Sequence, residues 1–405
     1  MSFAQFMDLA LELQEEVARN CEAHELSALA QTCSWLHGVA IRALYHHVDI
    51  STHNIAGLFP ARNMFTLAEN PIADLGDEID HCIEKQRKFF RSMKLRPEYG
   101  AGVTRLTWTY FSQCSPTNDK PISDKPVWRA LQCLTSVKYL DFASIAFQRE
   151  RNPPPALFPV AEHIRLVGPM SFAFVRAILF SGQAERLVSL DLDNVLDIGQ
   201  YKEGKDFKSM ADLSLIPESE DSDGISVTRH PGNMRGHLKY LEGRCPRLKY
   251  LCLRSVGNDQ EGDCRWSPAI DEARYDEWAS FITSVRSSLE HLVVEQGLEP
   301  NQSEIGRCRP QPIQLGRPMD DRFLTHLLPA LLAGGFEKLK GLQVYGIGAR
   351  ARPEVVQSYR PKYLQLCQDI HEKLLAALGA GVDLEVREHA TKSFFYHLSG
   401  NTYDS

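Results

Sequence analysis

The sequence predicts an α/β fold: three short N-terminal helices, then a parallel sheet with helices on one side, built by repeating a helix–turn–strand unit. Three observations predict it. A fragment of apolar residue, two variable residues, Leu, one variable and a second apolar residue recurs along the chain. A helix-like segment precedes most copies, and helix, short turn and strand in repetition imply parallel pairing. Before the first copy, apolar residues fall at helical spacing.

In chain order, Leu9, Leu13 and Val17 form one helical stripe. Leu26, Leu29, Ala30 and Cys33 form a second. Ser34 is an N-cap for a third helix whose apolar face is Leu36, Val39, Ala40, Ala43 and Leu44. A strand-like VDI closes this module at residue 50. So small a bundle has little interior, and it leaves apolar surface for a neighbour to cover. Residues 51–100 read as a connector: THNIAGLFPARNMF lacks a period, and a long helix is predicted over Ala73–Leu95, basic in its second half.

The repeat region spans 101–395, before a tail at 396–405. Its clear strand fragments are Val137-x-x-Leu140-x-Phe142, Leu187-x-x-Leu190-x-Leu192, Leu248-x-x-Leu251-x-Leu253, Leu289-x-x-Leu292-x-Val294 and Leu339-x-x-Leu342-x-Val344. Weaker copies are Val103-x-x-Leu106-x-Trp108, Ile164-x-Leu166 and Leu384-x-Val386. The helical segments are PVWRALQCL, FAFVRAILFSG, MRGHLKYLEGRCP, DEWASFITSVRSS, DRFLTHLLPALLAGG and QLCQDIHEKLLAAL. Central apolar positions follow one another at 34, 24, 26, 61, 41, 50 and 42 residues. The long gaps hold insertions, among them SQCSPTNDKPISDK, the acidic DLSLIPESEDSDG, GNDQEGDCRWSPAIDEA and GLEPNQSEIGRCRPQPIQLGRP. Each comes after a strand and before the next helix, which places all four on one edge as a binding rim.

Period-two alternation turns the residues between the inward leucines onto the open face of the sheet. Tyr139, Arg165, Tyr250, Arg254 and Tyr345 stand there among carboxylates. Tyr and Arg are the types that anchor protein interfaces, so these five are the candidate contacts for a protein substrate.

Composition narrows the function classes. A net charge of −7 argues against a general nucleic-acid binder, which needs a basic field. Ten cysteines without a CxxC pair suit reduced thiols in an intracellular setting, cytoplasmic or nuclear. No apolar run approaches the roughly 18 residues of a membrane span, and the acidic start does not resemble a secretory signal. Phosphate-loop, metalloprotease, nucleophile-elbow and dinucleotide fingerprints are all missing, so no catalytic residue, cofactor or metal is expected.

The run LALELQEEVARNCEAHELSALAQTCSWLHGVAIRALYHHVDI resembles the F-box of fungal F-box proteins. The family pattern is matched at Leu9, Glu12-Leu13, Val17, Leu26, Leu29, Thr32-Cys33, Leu36, Leu44-Tyr45, Val48 and Ile50. It departs at Ala10, usually Pro, and at Asn20, usually apolar. The repeats resemble the irregular leucine-rich repeats of F-box/leucine-rich-repeat proteins, which form a curved solenoid. The resemblance implies a substrate receptor of a Skp–Cullin–F-box ubiquitin ligase. Leu9, Leu13, Val17, Leu26 and Leu29 would hold the Skp adaptor, and through it a cullin. Catalysis would belong to other subunits. Two alternatives stay open: a binding scaffold whose helices only cap the solenoid, and an enzyme with a site in the loop rim.

Overall fold

The fold is taken from a computed structural model, which describes residues 6, 8–51, 76–110, 125–144, 156–180, 184–197, 232–255, 268–296, 318–348 and 365–387. The loop at 52–65, the tail at 396–405, the acidic insertion at 212–224 and most of the other rim insertions lie outside those residues.

Three helices open the chain: α1 (Leu11–Arg19), α2 (Ala23–Ala30) and α3 (Ser34–Leu44). Their small shared core is Ala18, Leu26, Val39 and Ala40. Strand β1 (His47–Ile50) follows α3 after two residues, and it is an edge strand of the main sheet. The boundary expected at residue 50 therefore cuts through the architecture, because VDI belongs to the sheet. Three contacts hold this junction. The His46 carbonyl accepts N–H bonds from Thr104 and Arg105 at 3.0 and 3.2 Å. Tyr45 packs on Tyr99 with ring centroids 5.1 Å apart.

The sheet continues through β2 (Arg105–Tyr110), β3 (Tyr139–Ser144), β4 (His163–Met170), β5 (Ser189–Asp197), β7 (Tyr250–Ser255), β8 (His291–Gln296), β9 (Gly341–Tyr345) and β10 (Asp383–Arg387). A two-residue β6 (Gly232–Asn233) pairs antiparallel to β5. The other nine strands are parallel and stand side by side in chain order.

Register follows the recurring fragment. Val48, Leu106, Leu140, Ile164, Leu190, Leu251, Leu292, Leu342 and Leu384 form one continuous ladder. Ile50, Trp108, Phe142, Leu166, Leu192, Leu253, Val294, Val344 and Val386 form a second, two residues on. A one-residue slip of any strand would turn its apolar pair outward, so burial locks the pairing.

Both ladders face one layer of helices. It comprises α4 (Gly76–Leu95), α5 (Lys125–Cys133), α6 (Phe172–Leu179), α7 (Pro268–Val285), α8 (Pro318–Arg322), α9 (Leu328–Leu332) and α10 (Leu366–Leu378). Helix α4, expected as part of a connector, belongs to this layer: Phe89 and Met93 join the main core. Its buried Gln86 amide donates to the carbonyls of Ile50 at 3.0 Å and Thr109 at 2.6 Å, tying α4 to β1 and β2.

Three expected helices differ. MRGHLKYLEGRCP forms only a 3₁₀ turn at Lys239–Leu241. Gly236 and Gly243 there adopt positive φ, and the Glu277 carboxylate of α7 accepts the N–H groups of Gly236, Leu238 and Lys239 at 2.5, 2.5 and 3.2 Å. Helix α7 starts at Pro268, well before the predicted Asp276. Within DRFLTHLLPALLAGG a π-helical turn, Phe323–Leu327, separates α8 from α9. Pro329 has no N–H for the Thr325 carbonyl and its ring crowds that group, which widening the turn relieves.

Candidate interaction surfaces

Two surfaces could receive a partner: one flank of α1, and the sheet face turned away from the helices. On α1 the apolar stripe read from the sequence faces outward. Gln14 and Ala18 are the buried residues of this helix, whereas Leu13 is 54 % and Val17 41 % exposed, one turn apart. Gln14 can be interior because its amide is satisfied: Nε2 donates to the Leu9 carbonyl at 2.8 Å, and Oε1 accepts from Trp35 Nε1 at 2.8 Å. The Trp35 ring itself stays half exposed. Arg42 of α3 clamps α1 through Glu15 at 2.6 Å.

The five proposed adaptor contacts thus separate. Leu13 and Val17 are open, and Leu9 and Leu29 are half-buried. Leu26 is a correction: it is enclosed in the module's core, so it holds the helices together and cannot meet a partner while the module is folded.

On the open sheet face the side chains line up in rows across the strands. The first row runs through His47, Arg105, Tyr139, His163, Tyr250 and His291 to Asp383. Tyr139, 45 % exposed, stacks on His163 with centroids 4.4 Å apart, and the Arg105 guanidinium lies 5.7 Å from its centre.

Further along the strands, charges alternate over five neighbours: Asp141 on β3, Arg165 on β4, Asp191 and Asp193 on β5, Arg254 on β7 and Glu295 on β8. Arg254 Nη1 donates to both oxygens of Asp191 at 3.0 and 3.2 Å, and its Nε donates to Glu295 at 3.1 Å. Arg165 donates to Asp141 at 3.2 Å and lies 3.5 Å from Asp191 and 3.7 Å from Asp193. Opposite charges directly across a strand pair are favourable; here they form one network.

Of the five predicted substrate contacts, Tyr139 and Arg165 reach solvent and Tyr250 is half-buried. Two are corrections. Arg254 is largely buried and held by carboxylates on both flanking strands, which makes it a strut of the sheet. Tyr345 is 4 % exposed, packs with Cys252 and Val293, and donates its hydroxyl to Glu385. Sequence alternation places a residue on a face correctly but does not show whether its neighbours already occupy it.

Asp193 is the most enclosed member of the network, at 1 % exposure. Its Oδ1 accepts from Asn194 at 2.8 Å, while Oδ2 lies 3.7 and 4.0 Å from the Arg165 and Arg254 guanidinium groups. Burial pushes its carboxyl up to about 6 against the pull of Arg254, with Asp191 adding to the rise. The folded chain therefore takes up this proton at higher pH than the unfolded chain, and this group's contribution to stability falls as pH rises through about 6. Relative to Asp193→Asn, the parent chain should gain about 1 kcal/mol of unfolding free energy between pH 7 and pH 5, as read from urea titrations. A constant difference across that range would refute the assignment.

Among the described residues no group of three or more His, Cys, Asp or Glu is placed to hold a metal ion, and no helix is long and apolar enough to cross a membrane. No protein-family model matches the chain, and no curated protein matches it.

Proposed function

We propose that the chain is the substrate-recognition subunit of a Skp–Cullin–F-box ubiquitin ligase, with an F-box at its N-terminus and an irregular leucine-rich-repeat solenoid behind it. The observation that carries this reading is the outward stripe of α1. In a module that resembles an F-box, Leu13 and Val17 lie on the surface while Gln14 and Ala18 fill the interior. An apolar pair held outward at the expense of burying an amide is what a docking helix requires.

Strict chain-order pairing of nine parallel strands with helices on one side supports the solenoid reading. Its other sheet face carries exposed Tyr139 and half-exposed Arg165 among carboxylates, a surface suited to a protein substrate and ill suited to phosphate. In this role the chain works inside the cell and is not itself catalytic: it supplies two binding surfaces, and transfer of ubiquitin belongs to other subunits.

Affinity purification with mass spectrometry tests the proposal, comparing the full chain with one lacking residues 1–44, so that β1 stays in the sheet. A Skp adaptor and a cullin should accompany the full chain and be missing from the shortened one. Substrates recovered by both chains without any adaptor would favour a scaffold independent of the ligase.

A further inference from the structure

Resting on the reading of the open sheet face as the capture surface, we propose that the segment it captures is cationic: an extended, Lys/Arg-rich peptide laid across the strands. The charge balance of the face points there. To the four carboxylates of the central network the face adds Asp49, Asp383 and Glu385, against the four arginines Arg105, Arg165, Arg254 and Arg387. Among the described strand residues, seven carboxylates against four guanidinium groups leave an excess of three negative charges on this side of the sheet. Burial lowers the pKa of His47 and His163, so these two add little positive charge at neutral pH.

Within the central network the arginines are outnumbered. Arg165 and Arg254 already face four carboxylates between them, and Oδ2 of Asp193 accepts no hydrogen bond from the described residues. Asp141 and Glu385 keep part of their surface open, and Asp383 is exposed at the far edge. A guanidinium or ammonium from a partner would meet solvent-open carboxylates at Asp141 and at Asp383. Beside Asp141, exposed Tyr139 offers an apolar rest for the stem of a long side chain. An anionic partner would instead meet the larger part of the charge with the same sign.

The face also sets a length. Nine strands about 4.8 Å apart span roughly 38 Å, the reach of an extended segment of about 12 residues. A single lysine at a protein surface would use little of it; a segment with several cations would use the whole width.

The test selects random-sequence peptides of about 12 residues on the full chain and measures the enriched ones by fluorescence anisotropy. Enriched peptides should carry an excess of Lys and Arg. Their affinity should fall about tenfold or more on the double variant Asp141→Asn/Asp383→Asn, whose side chains are open enough for the fold to be kept, and should weaken between about 0.05 M and 0.5 M salt. Neutral, acidic or phosphorylated peptides that lose affinity on Tyr139→Ala would overturn the cationic class and leave the capture role standing. Cationic peptides indifferent to the double variant would overturn the assignment to this face. Failure to enrich any peptide would remove both the cationic class and the capture role.

Discussion

Arg254→Ala is expected to be among the most destabilising single substitutions in the chain, lowering the unfolding free energy by about 3–5 kcal/mol. The arginine joins Asp191 on one side to Glu295 on the other, and approaches Asp193 at 4.0 Å. Its loss leaves three carboxylates on adjacent strands with Arg165 as the nearest remaining cation of the network. Removing one partner of a buried ion pair costs far more than the pair contributes, because a charge stays behind in a poorly solvated place. The cause can be isolated by repeating the substitution in an Asp193→Asn background, where one repelling charge is gone and the loss should shrink. Equal losses in the two backgrounds, measured by urea titration, would show that packing rather than charge is responsible. Tyr139→Ala, on an exposed ring, should change stability by less than about 1 kcal/mol and is the better probe of what binds to the face.

Leu13→Asp combined with Val17→Asp should abolish adaptor binding, a loss of about a hundredfold or more, while leaving the fold intact. Both side chains are largely open, so two carboxylates there remain hydrated in the free chain and cost little. In a complex they would be buried without counter-charges, at several kcal/mol each. Leu26→Asp makes the contrast: it places a carboxylate inside the three-helix core and should unfold the module. Calorimetric titration with a purified Skp adaptor reads the first effect, and loss of helical circular dichroism reads the second. Unchanged affinity of the double variant would end the F-box proposal, because the one outward apolar stripe of α1 would then have no part in docking.

Where the sequence could be read and where it could not follows from what each pattern encodes. The fragment with Leu106, Leu140, Ile164, Leu190, Leu251, Leu292, Leu342 and Leu384 at its centre aligned eight strands in register, because alternation and burial are the same constraint. Val48-x-Ile50 is a ninth copy that directly follows α3, so in sequence it reads as the end of the helical module. On α1 the helical period is legible, but what fills the inner side is not: Gln14, satisfied by Trp35 and the Leu9 carbonyl, does so together with Ala18. Alternation puts Arg254 on the correct face but does not reveal its structural task. Its partners lie 41 and 63 residues away in the chain, and only the sheet brings them together.

The two residues between α3 and β1 have a mechanical consequence. With Tyr45 seated on Tyr99 and the His46 carbonyl taking the amides of Thr104 and Arg105, the N-terminal helices run into the sheet with no slack between them. Helix module and sheet therefore behave as one lever arm. Whatever grips the outer side of α1 holds the far edge at β10 at a fixed bearing, with no tether entropy to lose when both ends are engaged. A flexible spacer of a few glycines after Tyr45 would keep both surfaces and remove the shared bearing. On the proposed reading each partner would still bind alone, while any process that depends on their mutual orientation would slow.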